Sequence, residues 1–259
     1  MGSGGGQDLL RRVELRRKLA LGRGKLSARF HSSPPCTLRP GELLATADGP
    51  RDAIYLIRAG WACQFRNLAN GSRAIVDVYL PGDVIGLDAV LRTRCLEEVL
   101  IVTSVAVEAI REEGALIGLL ACQHTALYIT WLLGQRQRRA DRQLAAVSCL
   151  DARGRLATMV LDFYTRLRRR KLITEPTYNL PLTQVQIASY VGLTVVHVNR
   201  ILGLLREERV VHIEKHCVTI LDLKRLMSLS QHEWAEHSIA RTDERPRNKL
   251  VLSSTEAAE

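Results

Sequence analysis

Arginine, asparagine and histidine side chains lie close together in one short segment of the C-terminal half of the chain. Beyond Thr194 the segment carries His197, Asn199 and Arg200. An arginine that projects from a helix donates paired hydrogen bonds to guanine O6 and N7. Thr194 suits a helix N-cap, and the free N–H groups of a helix start bind phosphate oxygens. These residue types predict contacts with DNA bases and phosphates.

Arg200 is the first candidate for reading a base, while a phosphate-bound or solvated arginine stays open as the alternative. His197 and Asn199 are expected at either a phosphate or a base. The whole set that we expect at DNA comprises Thr183, Thr194, Val195, Val196, His197, Asn199, Arg200 and Arg206.

Residues 182–209 have the spacing of a helix-turn-helix. Thr183 and Gln186 fit a capping box at the start of a first helix, and Gly192 fits the left-handed residue that ends it. Small Ala188 and apolar Val198 would let two helices approach closely. The inner faces are Ile187, Ala188 and Val191, then Val198, Ile201, Leu202 and Leu205. The alternative is a helical hairpin inside some other domain.

The flanking residues predict a wing beside these helices. Residues 210–213 and 217–221 favour two short strands, and residues 178–181 favour a third. A further helix is expected over residues 151–170, followed by a loop around Pro176.

The N-terminal half favours strands. Apolar runs over residues 53–57, 61–65, 74–80 and 100–110 are separated by turns, and Asn70-Gly71 favours a hairpin. Short strands at this spacing predict an antiparallel barrel or roll.

Residues 116–147 then show helical apolar spacing without a proline. One helix this long predicts two buried surfaces, one on the β domain and one on a partner helix. We expect the second surface to form a homodimer through Leu127, Ile129 and Leu133.

Composition and charge limit the classes of protein to which the chain can belong. The 259 residues carry a net charge of +10, which favours polyanionic partners. No apolar run approaches the length of a membrane span and no hydrophobic signal core begins the chain, so neither a membrane partner nor export is expected. Six scattered cysteines without a CxxC pair predict reduced thiols rather than a disulfide framework or an iron–sulfur cluster.

On these patterns the chain resembles the Crp/Fnr family of bacterial regulators. The resemblance includes the Pro81-Gly82-Asp83-Val84-Ile85-Gly86 segment, the long helix, Leu150-Asp151, and Gly192-Leu193-Thr194 leading into Val198-Asn199-Arg200. It implies an α+β fold with an N-terminal antiparallel β-roll, a long dimerisation helix and a C-terminal winged helix-turn-helix. It also implies two-fold-symmetric double-stranded DNA, a second copy of the chain and RNA polymerase as partners, in the cytoplasm.

The expected domains follow from the same patterns. They are a basic N-terminal arm over 1–30, a β-roll sensor over 31–115, the dimerisation helix over 116–149, the DNA-binding domain over 150–230 and a polar tail over 231–259. The arm is expected to be partly ordered, and a basic helix over residues 9–21 is the alternative.

The sensor departs from the cyclic-AMP-binding pattern of the family. Leu87 follows Gly86 where that pattern has a glutamate, and residues 92–98 lack its Arg-Ser pair. Glu97-Glu98 would repel a phosphate, and Ala140-Asp141 lack the hydroxyls expected opposite a purine. The sequence therefore predicts operator binding without cyclic AMP. Val196 replaces a glutamate found in many relatives, which predicts a different base preference.

No cofactor or metal is expected. Neither His31, His124 and His212 as haem ligands nor His212, His216 and Cys217 as zinc ligands show a suitable arrangement. A redox-responsive regulator, through Cys217, or a small-ligand-responsive one remains the alternative. An enzyme with a regulatory roll lacks a catalytic motif, and a nucleotide-binding module that acts through protein contacts lacks a phosphate cradle.

Overall fold

The computed structural model describes residues 4–31, 34–46, 53–69, 71, 73–87, 97–111 and 114–231. An N-terminal helix precedes a β domain, two further helices connect this domain to the C-terminal part, and a small helical domain with a three-stranded sheet follows.

Two four-stranded antiparallel sheets form the predicted roll. Their strand orders are β1-β8-β3-β6 and β2-β7-β4-β5. Side chains from both sheets, among them Ile57, Tyr79 and Val105, are buried together between them. The strands are β1 (Cys36–Leu38), β2 (Leu43–Ala45), β3 (Ile54–Ala59), β4 (Ala62–Asn67), β5 (Arg73–Tyr79), β6 (Val84–Ile85), β7 (Glu97–Ile101) and β8 (Val105–Ile110). The run predicted over 100–110 is thus two strands, and Asn70 of the predicted turn lies outside the described residues.

The N-terminal segment is a helix, α1 (Gly4–Phe30), so the expectation of a partly ordered arm is wrong. Two apolar anchors explain the order, because Leu26 and Phe30 are buried against the roll and the following helices. Gly22 permits a close helix crossing, since a Cβ there would lie 2.0 Å from the carbonyl oxygen of His124.

The predicted long helix is divided into α2 (Ala115–Ala121) and α3 (Gln123–Cys149). Cys122 separates them with extended backbone angles, φ −90° and ψ 114°, which no helical hydrogen-bond ladder accommodates. The expectation of one uninterrupted helix over 116–149 is therefore wrong. On α3, Ile129 is 2% exposed and packs into the cluster that contains Leu26 and Phe30.

The C-terminal domain has the predicted winged arrangement. It comprises α4 (Ala152–Arg169), β9 (Thr177–Asn179), α5 (Gln184–Val191), α6 (Val195–Glu207), β10 (Val211–Glu214), β11 (Cys217–Ile220) and α7 (Leu223–Leu229). The sheet order is β10-β11-β9, so all three strands expected near the helices are present. Helix α7 was not anticipated.

One apolar core joins the roll to the C-terminal domain. Trp61, from the turn before β4, meets Phe163 of α4 edge to face with ring centroids 5.4 Å apart, and Phe163 stacks on Tyr190 of α5. The two domains therefore share buried surface in this structure. Among the helices of the described ranges, no single one is long and apolar enough to cross a membrane, and only the strongly bent α5–α6 pair has the required length and composition.

Candidate nucleic-acid interface

Local sequence signals define both helices of the helix-turn-helix. The Thr183 side chain accepts from the Gln186 amide at 3.2 Å, and the Gln186 side chain accepts from the Thr183 amide at 2.8 Å. Thr194 caps α6 by accepting from the His197 amide at 3.2 Å. The axes of α5 and α6 meet at 93°. The predicted caps are confirmed.

Gly192 makes the turn between these helices, with φ 67° and ψ 44°. Any side chain is strained in this left-handed conformation. Arg155 of α4 holds the turn in place, because its guanidinium donates to the carbonyl oxygens of Gly192 and Leu150 at 3.3 and 3.1 Å. Ala188 and Val198 are buried where the two helices meet, as their residue types predict.

Helix α6 presents a polar face to solvent. Arg200 and Asn199 are exposed, and Val196 is 80% exposed. The Arg200 guanidinium lies 2.9 Å from His197 Nε2. Because a guanidinium only donates, this contact requires an unprotonated Nε2 as acceptor. His197 thereby orients Arg200, a relation that the sequence did not reveal.

Asn199 is bonded to the first turn of α5. Its Nδ2 donates to Gln184 Oε1 at 2.9 Å, so Gln184 joins the exposed face next to the Thr183 cap. Sequence analysis missed Gln184, although its place directly after a capping threonine was an available signal.

The other candidates lie around this face. Thr183, Thr194 and Arg206 are exposed, whereas the Val195 side chain is partly buried against the core. Val195 therefore offers its backbone amide rather than its side chain to a ligand.

Polar contacts fix α5 to the roll. Strand β5 is at the edge of its sheet, and there Ser189 accepts from the Ile75 amide and donates to the Arg73 carbonyl, both at 3.1 Å. On the other side, Gln143 of α3 donates to the Tyr190 carbonyl oxygen at 2.5 Å. The first helix of the motif thus covers a strand edge that would otherwise be unpaired.

A buried carboxylate ties α4 to the turn that precedes β6. Asp83 accepts hydrogen bonds from Arg166 of α4 and from Arg170, the residue that ends this helix, each at 2.5 Å. Burial raises the pKa of Asp83, but the two guanidinium charges outweigh it and hold this pKa far below its ordinary value. The carboxylate is therefore ionised at neutral pH.

The three residues expected at a dimer seam differ in how far they are exposed to solvent. Ile129 is buried in its own chain and has no surface left for a partner, so its assignment to the seam is wrong. Leu133 packs partly against the same cluster, and Leu127 is half-buried. The large apolar side chains that α3 does expose are Trp131 and Leu144, at 39% and 68%.

The sensor region has an apolar side chain where the family pattern has a glutamate. Leu87 is 4% exposed and packs in the cluster that includes Phe30 and Ile129. Glu97 is buried and paired with Arg66, its neighbour across the β4–β7 ladder, so the expectation that Glu97 repels a phosphate needs correction. Residues 92–96 lie outside the described part.

The candidate ligands on the wing, His212, His216 and Cys217, each have separate surroundings. Within the described ranges no group of three or more His, Cys, Asp or Glu residues is arranged to hold a metal ion. His212 contacts Glu214 at 3.3 Å, His216 contacts the Leu180 carbonyl oxygen at 3.1 Å, and Cys217 is an exposed thiol on β11.

Two family models match separate parts of the chain. Residues 35–120 match the cyclic nucleotide-binding domain and residues 154–229 match the Crp-like helix-turn-helix domain. Helices α1 and α3 lie outside both matched ranges.

Curated regulators align with about three quarters of this chain. The "Anaerobic regulatory protein" of Pasteurella multocida is 24% identical over 74% of this chain and 70% of its own. The "Nitrogen fixation regulation protein FixK" of Rhizobium meliloti is also 24% identical, over 74% of this chain and 85% of its own. The structure of FixK2 from Bradyrhizobium japonicum superposes with a TM-score of 0.67 at 21% identity, over 76% of this chain and 96% of that one. The chain belongs to the Crp/Fnr family of DNA-binding transcription regulators.

Proposed function

We propose that this regulator binds a two-fold-symmetric operator as a homodimer, with α6 of each protomer in the major groove. The observation that carries the proposal is the exposed face of α6, where His197 orients the Arg200 guanidinium. A helix carrying an oriented guanidinium fits the width of the major groove and matches guanine O6 and N7.

Each exposed residue of the motif has a role in this proposal. Arg200 reads a guanine, and Val196 contacts a thymine methyl group because its exposed side chain is apolar. His197 and Asn199 extend the same contact surface, and His197 also orients Arg200 through their hydrogen bond. Arg206, at the far end of α6, contacts the sugar-phosphate backbone.

The helix starts bind phosphates. Thr183 and Thr194 are exposed caps, and the backbone amides that follow them, including that of Val195, point out of a helix N-terminus. Positive potential at a helix start favours a phosphate there. These contacts set the register of α6 without distinguishing bases.

Homodimerisation through α3 is part of the proposal. Leu127 and Leu133 retain the seam role expected from sequence, and Trp131 and Leu144 replace Ile129. Exposed apolar residues on one long helix support a seam between two helices, because burying leucine and tryptophan side chains against a partner stabilises the dimer. A dimer places two α6 helices on successive turns of DNA, about 34 Å apart.

The proposal also covers the location of the dimer, its protein partner and its response to cyclic AMP. The dimer acts in the cytoplasm, where its DNA lies, and contacts RNA polymerase; family membership is the support for both. It is competent without cyclic AMP, since buried Leu87 offers no hydrogen bond to a ribose.

Selection from random duplexes tests the proposal. The purified protein should enrich an inverted repeat whose half-sites are centred about 10 base pairs apart. Its affinity for that site should fall steeply with salt, because phosphate contacts release counterions. Enrichment of a single asymmetric motif, or of none, would contradict the proposal.

A further inference from the structure

A cavity of about 500 Å³ lies between the C-terminal half of α3 and helix α4. Ser230 and Gln231, directly after α7, line its remaining side. The volume lies in the range of small-molecule sites, about 300–1,000 Å³. The cavity is on the connection between the sensor and the DNA-binding domain, and neither matched family range contains its α3 wall.

Positive charge dominates the lining. Arg138, Arg142 and Arg169 line the cavity, and Asp141 is the carboxylate beside them. Arg142 shares Asp162 with Arg166, each guanidinium 3.3 Å from that carboxylate. Asp141 accepts from Gln137 at 2.8 Å. Among the residues that the structure describes, the carboxylates near the cavity are therefore fewer than its cations.

Arg169 is an exposed residue at the edge of the cavity. It forms no hydrogen bond or salt bridge with any residue that the structure describes. Partial burial of its guanidinium and the neighbouring charge of Arg142 lower its pKa, and the charge of Asp162 offsets part of this shift. An anion between Arg142 and Arg169 would relieve this repulsion.

A hydroxyl in the same lining is also unsatisfied. The Thr165 oxygen is buried and has no hydrogen-bond partner among the described residues. Buried hydroxyls nearly always have a partner, so the Thr165 hydroxyl has hydrogen-bonding capacity that the described residues do not use. Ala145, Ala146 and Leu150 supply apolar surface to the same cavity.

We propose that this cavity binds a small organic anion, with a carboxylate or phosphate group and an apolar body. Arg169 and Arg142 contact the anionic group, since charge-assisted hydrogen bonds to guanidinium are the strongest available here. Thr165 supplies a further hydrogen bond, and the alanines and Leu150 cover the apolar body.

The site also couples to DNA binding, an extension that rests on the proposed function. A ligand held by α3 and α4 together favours the arrangement in which these helices lie as they do here. That arrangement fixes the helix-turn-helix, because Arg155 of α4 anchors Gly192. A bound anion therefore changes the fraction of protein that is competent for DNA.

Fluorescence titration with anilinonaphthalene sulfonate, an apolar sulfonate, tests binding in the absence of DNA. We expect saturable binding to the full-length protein that Arg169→Gln weakens by about tenfold. Lys224→Gln removes the same charge from exposed α7 outside the cavity and should bind like the unaltered protein. Equal affinity in all three proteins would overturn the inference.

A second variant separates binding from folding. Thr165→Val removes a hydroxyl that has no partner, so thermal stability should be kept while probe affinity falls by a few-fold. Unchanged probe affinity in Thr165→Val and Arg169→Gln alike would again overturn the inference.

Competition identifies the anionic group. Sodium phosphate and sodium butyrate, compared at equal ionic strength, should displace the probe unequally, and the stronger competitor names the group. Displacement by neither would overturn the site. Operator affinity measured with and without the probe then tests the coupling; an unchanged affinity would overturn the coupling and leave the site standing.

Discussion

Arg200 is the residue on which we propose that base selection depends. Its exposed guanidinium is oriented by His197 at 2.9 Å. Arg200→Ala should relax the choice of one base pair in each half-site and cost about 1–3 kcal/mol on the preferred sequence, because a bidentate guanine contact is lost. Competition binding against all single-base variants of the operator measures this. An unchanged consensus would make the assignment wrong.

Thr194 supplies the matched control at the start of the same helix. Thr194→Val removes the cap on the His197 amide and, with it, the proposed phosphate contact. Affinity should fall evenly across sequences, since phosphate contacts carry no base information. A variant that instead altered the consensus would contradict the division between caps and base readers.

The residues that sequence reasoning placed correctly are those fixed by local chemistry. The Thr183–Gln186 box, the Gly192 turn and the Thr194 cap each depend on a few neighbouring residues. Ile129 was misplaced because helical periodicity shows that a face is buried, but not against which neighbour. Here α1, which has no expected partner in the sequence pattern, helps to cover it.

At the level of elements, the contact between α4 and the roll depends on Asp83. Asp83→Asn would take away the carboxylate that Arg166 and Arg170 share, and buried Arg166 would keep Asp162, 3.3 Å away, as its carboxylate partner. Breaking a buried pair on one side costs on the order of 3–5 kcal/mol. Denaturant unfolding should show this loss. A loss below about 1 kcal/mol would mean that the pair is solvated in solution.

The same carboxylate predicts an acid limit to stability. Its pKa in the folded protein is far below the value of about 3.9 expected for an unfolded aspartate. The stabilisation is therefore complete above about pH 4 and is lost as the pH falls further, because the unfolded chain then binds the proton first. Unfolding midpoints measured from pH 6 downward should decline less in Asp83→Asn than in the unaltered protein.

Elements were predictable where periodicity and turn residues agreed, as in the wing and in strands β3 to β5. The break at Cys122 was not, because no proline or cap-forming side chain marks it and the backbone alone departs from helix. Helix α1 is similar: its basic surface favours a solvated segment, and tertiary burial of Leu26 and Phe30 overrides that preference.

At the level of the whole molecule, the proposed α3 seam predicts the state of assembly. Leu144 is 68% exposed in the single chain, so Leu144→Glu should leave the monomer folded. A charge buried at a seam is costly, and the dimer should dissociate at concentrations at least about tenfold higher. Sedimentation velocity measures this. Val185→Glu, at a position 67% exposed on α5, is the matched control and should stay dimeric. If the unaltered protein sediments as a monomer, the proposed seam is wrong.

We expect the binding of the whole molecule to its operator to be independent of cyclic AMP. A ligand activates a regulator only by binding its competent state more tightly than its other states. Leu87, packed with Phe30 and Ile129, puts apolar surface where a ribose needs a hydrogen-bond acceptor, and the arginine–aspartate contacts of α4 already hold the C-terminal domain against the roll. Operator affinity should therefore be the same with and without cyclic AMP, and calorimetry should detect no binding at micromolar concentration. Leu87→Glu restores the family's residue and serves as the comparison. Micromolar affinity in the unaltered protein, together with about a tenfold gain in operator affinity, corresponds to about 1.4 kcal/mol of coupling and would overturn the prediction.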